Sequence, residues 1–405
     1  MRSALVLPAA LSSAFVALSL VAQSAERARD LRIPIGGTAG ALDAITDVAG
    51  VEVGQVTIIT GEGKLVVGKG SVRTGVTAIL PRGKDDPDPV FAAFATLNGN
   101  GEMTGIHWLD ESGFLWGPVL TTNTMSVGVV RDATIAWALG KNWDAFNFAL
   151  PVVAETWDGG LNDIDGFHVT KEDAIRALDA ATPGPVAEGN VGGGTGMVCH
   201  QFKGGIGTAS RVLTRAQGGY TVGVLVQCNY GRRSRLSIAG VPVGREIADL
   251  TPCYRGAAPA GDLHAPVCGR AGAADGDGSG SIIVIVATDA PLLPHQLKRI
   301  AKRVTLAIGR MGGLGEDASG DLFLAFSTAN HGAAVDTGTA KLTMFPNDRI
   351  NPLFEATVQA TEEAIVNAML AARTMTGADG FTVYALPHDR LKQIMAKYPQ
   401  PAPSR

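Results

Sequence analysis

The sequence predicts an α/β or α+β protein, because stretches with the composition of strands alternate with helical patterns along the chain. The clearest strand is Ser281–Thr288, a continuous apolar and β-branched run typical of a strand that is buried on both faces. No Pro- or Ser-rich linker separates independent halves, and the 52 glycines and low charge suit a compact, loop-rich chain. We therefore expect a single domain.

Seven segments have the pattern of strands and four have the pattern of helices. The predicted strands are Val76–Leu80, Val90–Leu97, Val119–Val129, Leu150–Thr156, Tyr220–Cys228, Ser281–Thr288 and Leu322–Phe326. The predicted helices are Ala133–Leu139, Thr170–Ala180, Pro294–Gly309 and Phe354–Arg373. The second helix opens with a weak capping signal, the third with a proline suited to a first turn, and the fourth has an apolar face. Periodicity alone does not choose a topology.

The N-terminus has the pattern of a secretory signal. A charged start is followed by the apolar run Ala4–Val21 and by a small-x-small site near Ser24 and Ala25. We expect residues 1–24 to be a signal peptide, although the apolar run is long enough to leave an uncleaved anchor as an alternative. The mature chain is then soluble and exported, to a periplasm or outside the cell. A net charge of −4 without a basic stripe argues against nucleic acid as a partner.

Four cysteines in an exported chain suggest a disulfide. Cys253 and Cys268 lie close together in a Gly/Ala/Pro-rich stretch, so we predict that they pair. Cys199 and Cys228 are predicted to be inert core thiols. No Cys/His spacing matches a zinc site, and the glycine loop at 192–196 fits no nucleotide motif, so no metal or cofactor is expected. We interpret that loop as a place where backbone approaches backbone or substrate closely.

The border between Gly280 and Ser281 is the most informative position. The run Asp275–Gly280 has no side chains that pack, and Ser281 opens the buried strand. If the chain were cut before Ser281, this residue would carry a hydroxyl nucleophile and an α-amine of pKa ~8 that serves as its base. A plain linker is the alternative. An EF-hand calcium loop is excluded because Val286 stands where a bidentate Glu is needed.

Ser319 and Asp321 are the second candidate element. The sequence has no G-x-S-x-G elbow and no histidine obviously partnered with a serine, so a conventional triad is not indicated. Ser319 and Asp321 are two residues apart at a loop-to-strand transition, so their side chains face the same way. Such a pair could orient the Ser281 hydroxyl and stabilise its protonated amine. The alternative is a turn capped by Ser and Asp.

Six segments, spread over about residues 35 to 390, occur in an order typical of one known family. They are Leu42–Val51, Thr96–Glu102, Pro151–Thr156, Gly194–Met197, Gly280–Leu297 and Ala318–Asn330. These segments resemble the self-cleaving L-aminopeptidase/D-esterase and β-peptidyl aminopeptidase family of N-terminal serine hydrolases. The resemblance implies a four-layer α/β/β/α sandwich with the nucleophile on an inner strand. It also implies self-cleavage between Gly280 and Ser281, which divides residues 25–405 into 25–280 and 281–405.

The resemblance also implies roles for three further residues. Asn229 corresponds to an asparagine whose amide helps to form the oxyanion hole; its alternative is a turn asparagine. Glu155 corresponds to the acid that holds the free ammonium of the substrate, which would give a carboxylate at the end of an apolar strand a reason to be there. Trp157 stands where family members often have a tyrosine that contacts the oxyanion. Asp321 stands where the family often has the longer Glu.

We therefore expect an exported serine-type aminopeptidase that releases N-terminal residues from short peptides and amides. Its substrate could begin with an L-residue, a D-residue amide or ester, or a β-amino acid, and the family suggests a homotetramer. One alternative is an acyltransferase like the ornithine acetyltransferases, although their nucleophile is threonine. Another is a non-enzymatic binding protein on the same scaffold, in which Ser281 stays uncut.

Overall fold

Two β-sheets face each other at the centre of the protein, and helices cover the outer face of each sheet. The computed structural model describes residues 26–143, 150–256, 266–269 and 280–398. The expected signal peptide and the loop that precedes Gly280 lie outside these residues. Within the described ranges, no helix combines the length and the apolar character needed to cross a membrane.

The strands and helices are numbered in chain order. The strands are β1 (Glu52–Thr60), β2 (Val72–Leu80), β3 (Val90–Thr96), β4 (Phe114–Leu115), β5 (Val119–Asn123), β6 (Val152–Thr156), β7 (Val198–Cys199), β8 (Phe202–Lys203), β9 (Gly205–Val212), β10 (Thr221–Asn229), β11 (Cys253–Tyr254), β12 (Ser281–Thr288), β13 (Asp321–Ser327), β14 (Met375–Thr376) and β15 (Phe381–Val383). The helices are α1 (Ile106–Ser112), α2 (Val127–Gly140), α3 (Lys171–Asp179), α4 (Val243–Glu246), α5 (Pro294–Ala301), α6 (Val304–Arg310), α7 (Asn351–Ala371) and α8 (His388–Lys397).

The first sheet has the order β1-β2-β5-β6, and the second has the order β4-β3-β13-β12-β10-β9. Both sheets are mixed, because β5 pairs with β6 and β12 pairs with β13 in parallel while the other neighbours are antiparallel. Apolar side chains of both sheets, such as Ile79, Val152 and Ile285, form the layer between them. Every residue of β12 is buried, as the apolar run predicts.

Helices complete the outer two layers. Trp137 of α2 and Ala177 of α3 pack against the first sheet, and Leu297 of α5 and Ile365 of α7 pack against the second. The order of layers is therefore helix, sheet, sheet, helix, as in the predicted four-layer α/β/β/α sandwich. Short strands outside the two large sheets form the hairpin β7–β8 and the sheet β11-β15-β14.

Most predicted elements are present with shifted ends, and two predictions are wrong in part. The predicted strand Val119–Val129 ends at Asn123, and the chain turns into α2 at Val127. Its β-branched valines favour a strand locally, but packing on the first sheet places them in a helix. The predicted helix Pro294–Gly309 is interrupted after Ala301 and becomes α5 and α6. The capping signal of Thr170 is confirmed, since its hydroxyl accepts from the Asp173 N–H.

Both cysteine pairs are joined by disulfides. The predicted Cys253–Cys268 disulfide is confirmed. The prediction of free core thiols at Cys199 and Cys228 is wrong, because these two residues form a second disulfide. They are 29 residues apart in sequence, and the fold brings their Cα atoms to 5.5 Å by placing β7 against the end of β10. Spacing in the sequence carries no sign of this contact.

The glycine loop is a site of close backbone approach, as predicted. Gly192–Gly194 forms a turn of 3-10 helix that is wedged among the strands. A Cβ on Gly193 would lie 2.2 Å from Gln227 Oε1, and one on Gly194 would lie 2.3 Å from the Ile206 nitrogen. Any side chain here would push the strands apart.

Gly207 of β9 provides a test of helix-to-sheet packing. A Cβ at this position would lie 2.0 Å from the Ala364 carbonyl oxygen of α7, so we expect Gly207→Ala to lower the free energy of unfolding by about 1–3 kcal/mol through overpacking. Gly128→Ala in α2 is the control, because a Cβ there meets nothing within 4 Å. Thermal unfolding of both variants measures the effect. Equal melting temperatures for the two variants would contradict this account of the α7 contact.

Candidate active site

Ser281 is the first residue of the central strand β12, between two strands that carry other candidate residues. Asn229, the last residue of β10, lies directly across from Ser281, and Asp321, the first residue of β13, lies across from Ile282. Gly280 has a φ of 149°, and a Cβ on it would lie 2.1 Å from the Asn229 carbonyl oxygen. Only glycine fits immediately before Ser281 without displacing β10.

Ser319 and Asp321 face the junction between Gly280 and Ser281. The Ser319 hydroxyl lies 2.5 Å from the Gly280 carbonyl oxygen and 2.8 Å from Asp321 Oδ1, and its one proton can serve either acceptor. The Ser281 hydroxyl instead accepts the N–H of Gly320, at 3.0 Å. Ser319 and Asp321 therefore lie beside the junction before Ser281, but the hydrogen bond to the Ser281 hydroxyl comes from the backbone of Gly320, between the two residues.

Burial raises the pKa of the Asp321 carboxyl to about 6, and the hydrogen bond from Ser319 opposes this shift. The Ile282 N–H also lies 3.3 Å from Oδ1. Oδ2 is buried and has no hydrogen-bond partner among the described residues. A carboxylate with one free oxygen beside Ser281 can accept a proton or pair with an ammonium group.

The loop from Asn98 to Glu102 connects this cluster to Glu155. Asn98 Oδ1 accepts the Asp321 N–H at 2.9 Å, and the Asn100 N–H donates to the Ser319 carbonyl at 3.1 Å. A Cβ on Gly101 would lie 3.2 Å from the Gly320 Cα and 3.3 Å from Glu155 Oε1. A side chain at this point would crowd both neighbours, which would have to move by a few tenths of an ångström, so glycine suits the passage of the loop between Glu155 and the 319–321 segment.

Glu155 lies near the end of β6 with 4 % of its surface exposed. Oε1 accepts the Glu102 N–H at 3.0 Å, and Oε2 accepts the Thr124 hydroxyl. Burial raises the pKa of this carboxyl, and the two hydrogen bonds oppose the shift. Across the described part of the chain, no Lys or Arg forms an ion pair with Glu155. A buried carboxylate in this state is stabilised when a cation binds.

Both the oxygen and the nitrogen of the Asn229 side-chain amide form hydrogen bonds. Its Oδ1 accepts the Val198 N–H at 2.7 Å, and its Nδ2 donates to the Trp157 carbonyl at 2.9 Å. The amide nitrogen has a second N–H that remains able to donate. Trp157 thus contacts the candidate oxyanion residue through its carbonyl. Trp157 is 54 % exposed, and its indole lies over Gly159, where a Cβ would come 2.5 Å from Cζ2.

Ser281, Glu155 and Trp157 open onto one pocket of about 660 Å³. Asn229, Ser319 and Asp321 are not among the residues that line it. It is lined by Gly99, Asn100, Gly101, Glu102, Thr124, Glu155, Trp157, Gly280, Ser281 and Ala318. Ser281 and Glu155 therefore face the same space, which is large enough for an amino-acid residue and part of a leaving group. Among the described residues, no group of three or more His, Cys, Asp or Glu side chains is arranged to hold a metal ion.

A family model described as peptidase family S58 matches residues 43–383. The chain belongs to peptidase family S58. The beta-peptidyl aminopeptidase BapA of Sphingosinicella microcystinivorans is 56% identical to this S58 chain over 381 residues, which cover 93% of this chain and 94% of the relative. The protein of the same name from Sphingosinicella xenopeptidilytica is 49% identical, with 92% of each chain covered.

Solved structures agree with the S58 assignment. A beta-aminopeptidase from Burkholderia sp. superposes with a TM-score of 0.79 at 46% identity and covers 93% of this chain and 100% of its own. The L-aminopeptidase D-Ala-esterase/amidase of Ochrobactrum anthropi has a TM-score of 0.81 at 44% identity and covers 92% and 98%. The latter is described as a prototype for the serine aminopeptidases and a variant of the Ntn hydrolase fold. The predicted fold class, family and enzyme class are confirmed: the chain is a serine-type aminopeptidase with the N-terminal nucleophile hydrolase fold.

Sequence reasoning missed the residues that support the site. Thr124 binds Glu155, but it lies within the segment predicted as a strand to Val129. Asn98 binds the Asp321 backbone; it is part of a segment that carries the family resemblance, but nothing in that segment indicated its partner. Val198, which holds the Asn229 amide, carries no local signal at all.

Thr124 provides a test of the electrostatics at Glu155. Because its hydroxyl donates to the charged form, we expect Thr124→Val to raise the pKa of Glu155 further by removing a hydrogen bond worth about 1.5–3 kcal/mol to the carboxylate. Thr124→Ser keeps the hydroxyl and is the control. An NMR titration of the ¹³C-labelled Glu155 carboxyl carbon measures both variants. An unchanged pKa in the valine variant would show that the hydroxyl does not stabilise the charge.

Proposed function

We propose that this chain is exported, cuts itself between Gly280 and Ser281, and then removes N-terminal residues from short peptides and amides. The observation that carries the proposal is the pocket that Ser281 shares with Glu155, a buried carboxylate. A nucleophile next to a carboxylate that needs a cation suits a substrate with a free amine close to the bond that is cut.

Self-cleavage begins with attack of the Ser281 hydroxyl oxygen on the Gly280 carbonyl carbon. The peptide C–N bond breaks, an ester forms on Ser281, and its nitrogen becomes a free α-amine; water then hydrolyses the ester and leaves a carboxylate on Gly280. The distance of 2.5 Å from the Ser319 hydroxyl to the Gly280 oxygen supports Ser319 as the donor to the developing oxyanion. The hydroxyl proton of Ser281 passes to the amine that leaves, with Asp321 as the nearby acceptor in this step.

In the mature enzyme, the α-amine of Ser281 takes the proton of its own hydroxyl as the oxygen attacks the substrate carbonyl. The scissile C–N bond then breaks as the ammonium returns this proton to the leaving amine, and water hydrolyses the ester left on Ser281 to release the N-terminal residue as its acid. The unpartnered Oδ2 of Asp321 supports a role in holding the ammonium that results. Asn229 lies across from Ser281 in the sheet, which supports its amide as the oxyanion donor for the substrate. We assign Trp157 to the wall of the pocket.

The names of the relatives support a proposal about the substrate class. The two Sphingosinicella relatives are named beta-peptidyl aminopeptidases, and the Ochrobactrum structure is an L-aminopeptidase and D-Ala-esterase/amidase. We propose that N-terminal β-amino acids are accepted here, since an ammonium one methylene farther from the carbonyl can still pair with Glu155.

Removal of residues 1–24 and assembly as a homotetramer belong to the same proposal. N-terminal sequencing and light scattering of the exported protein test them.

Self-cleavage is tested on purified wild-type protein and on Ser281→Ala. We expect two wild-type chains, the second beginning at Ser281, because Ser281 is anchored in β12 and follows a glycine that no other residue can replace. The alanine variant should remain one chain without aminopeptidase activity, since it lacks the nucleophile. An SDS gel and Edman sequencing provide the measurement. A new N-terminus at Ser279, or a single active wild-type chain, would overturn the proposal.

The role of Glu155 is tested by removing the charge first from the substrate amine and then from the Glu155 side chain. Wild type should hydrolyse the p-nitroanilide of a small amino acid and lose several kcal/mol of transition-state stabilisation when the substrate amine is acetylated, because Glu155 is then buried without a cation. Glu155→Gln should sharply lower kcat/KM for the free amine and leave self-cleavage intact, since the precursor presents no ammonium there.

The acetylated substrate is the matched control for Glu155. The difference in kcat/KM between free and acetylated substrates should be large in wild type and small in Glu155→Gln. Equal rates on both substrates in wild type would remove the proposed role of Glu155. A variant that loses self-cleavage as well would indicate a structural role instead.

A further inference from the structure

The disulfide between Cys199 and Cys228 joins the residue before Asn229 to the residue after Val198, the hydrogen-bond partner of Asn229. Cys228 precedes Asn229 in β10, and Cys199 follows Val198, whose N–H donates to Asn229 Oδ1 at 2.7 Å. The disulfide therefore connects the segment that carries the amide to the segment that holds its oxygen. Both cysteines are fully buried.

The two hydrogen bonds of the Asn229 side chain decide which way its amide points. The Val198 N–H is a donor, so it must meet the amide oxygen; the Trp157 carbonyl is an acceptor, so it must meet the amide nitrogen. The oxygen and nitrogen of an amide have nearly the same shape, so contacts of this kind alone distinguish the two orientations. A flipped amide would present its oxygen where a developing oxyanion needs a donor.

The segment that holds the amide oxygen is short. It is the hairpin β7–β8, whose two strands have two residues each and whose turn residues His200 and Gln201 have φ of 48° and 58°. The ends of this segment are held by the buried Lys203 ammonium, which donates to the Met197 and Gly204 carbonyls at 2.7 and 2.9 Å. The His200 N–H donates to the Tyr230 carbonyl at 2.6 Å. The disulfide adds a covalent link from β7 to β10 at Cys199, the residue next to Val198.

We propose that the Cys199–Cys228 disulfide is a positioning element for catalysis: it holds the Val198 N–H against Asn229 Oδ1 and so keeps the Asn229 Nδ2 available to the oxyanion. This inference rests on the proposed role of Asn229. Opening the disulfide lets the hairpin move away from β10, weakens the contact with Val198 and permits the amide to turn. The transition state then loses stabilisation while the substrate ammonium still binds Glu155.

The test removes each disulfide separately. Cys199→Ala/Cys228→Ala should lower kcat roughly tenfold with KM nearly unchanged, because misplacement of an oxyanion donor acts on the transition state. Cys253→Ala/Cys268→Ala is the matched control; it removes a disulfide of the β11-β15-β14 sheet and should lower the melting temperature without lowering kcat. Rates are expressed per cleaved chain, counted on an SDS gel. An unchanged kcat in the first variant, or an equal loss in both, would overturn the inference.

A double-mutant cycle that combines Asn229→Ala with removal of the Cys199–Cys228 disulfide distinguishes failure of this inference from failure of the proposed role of Asn229. Asn229→Ala should lower kcat ~10²–10³-fold, and removal of the Cys199–Cys228 disulfide in that background should have no further effect on kcat. If Asn229→Ala leaves kcat unchanged, the proposed role of Asn229 fails. If Asn229→Ala lowers kcat but the disulfide effect persists without Asn229, only the positioning inference fails.

Reduction of mature wild type provides a second measurement if the alanine pair does not fold. A dithiol in sub-denaturing urea converts each disulfide to two thiols and is itself oxidised to a disulfide; alkylation and mass spectrometry then report which pair has opened. We expect kcat to fall in proportion to the opening of Cys199–Cys228 and not of Cys253–Cys268. Full activity with the Cys199–Cys228 disulfide open would overturn the proposal. A loss of kcat that follows the opening of the Cys253–Cys268 disulfide instead would also overturn it.

Discussion

The pairing of β12 between β10 and β13 is the interaction on which the rest of this structure depends. It buries an apolar strand on both faces and so fixes the position of Ser281 at its first residue. The same pairing places Asn229 directly across from Ser281 on one side and Asp321 across from Ile282 on the other. The site therefore derives its precision from backbone hydrogen bonds in the core of the protein rather than from the loops around the pocket.

The second constraint on the site is the burial of two carboxylates, Asp321 and Glu155, which have different hydrogen-bond partners. Asp321 has one oxygen bound to Ser319 and one without a partner, and burial raises its pKa to about 6. Glu155 has both oxygens bound by neutral donors but no cation among the described side chains. Burial disfavours the charged form of each carboxyl until a cation binds. In the function we propose, that cation is the α-amine of Ser281 for Asp321 and the ammonium group of the substrate for Glu155. Their environments thus suit opposite ends of one reaction.

The parts of the site that could be predicted are those with a local pattern or a family resemblance. The strand at Ser281, the glycine before it and the two-residue spacing of Ser319 and Asp321 are visible in the sequence, and the structure brings them together. The residues that hold the site in place were not visible. Thr124 lies within a segment whose β-branched composition predicts a strand, and the second disulfide joins cysteines that resemble core thiols.

The sequence by itself determined the α/β class, the buried central strand and the family, because composition, short-range periodicity and ordered motifs are properties of neighbouring residues. Only the tertiary structure decided which strands pair, that Cys199 meets Cys228, and that Thr124, Asn98 and Val198 bind Glu155, Asp321 and Asn229. These contacts join residues from 29 to 223 positions apart. They form because each layer must bury its apolar face against another, and that requirement acts on the whole chain at once.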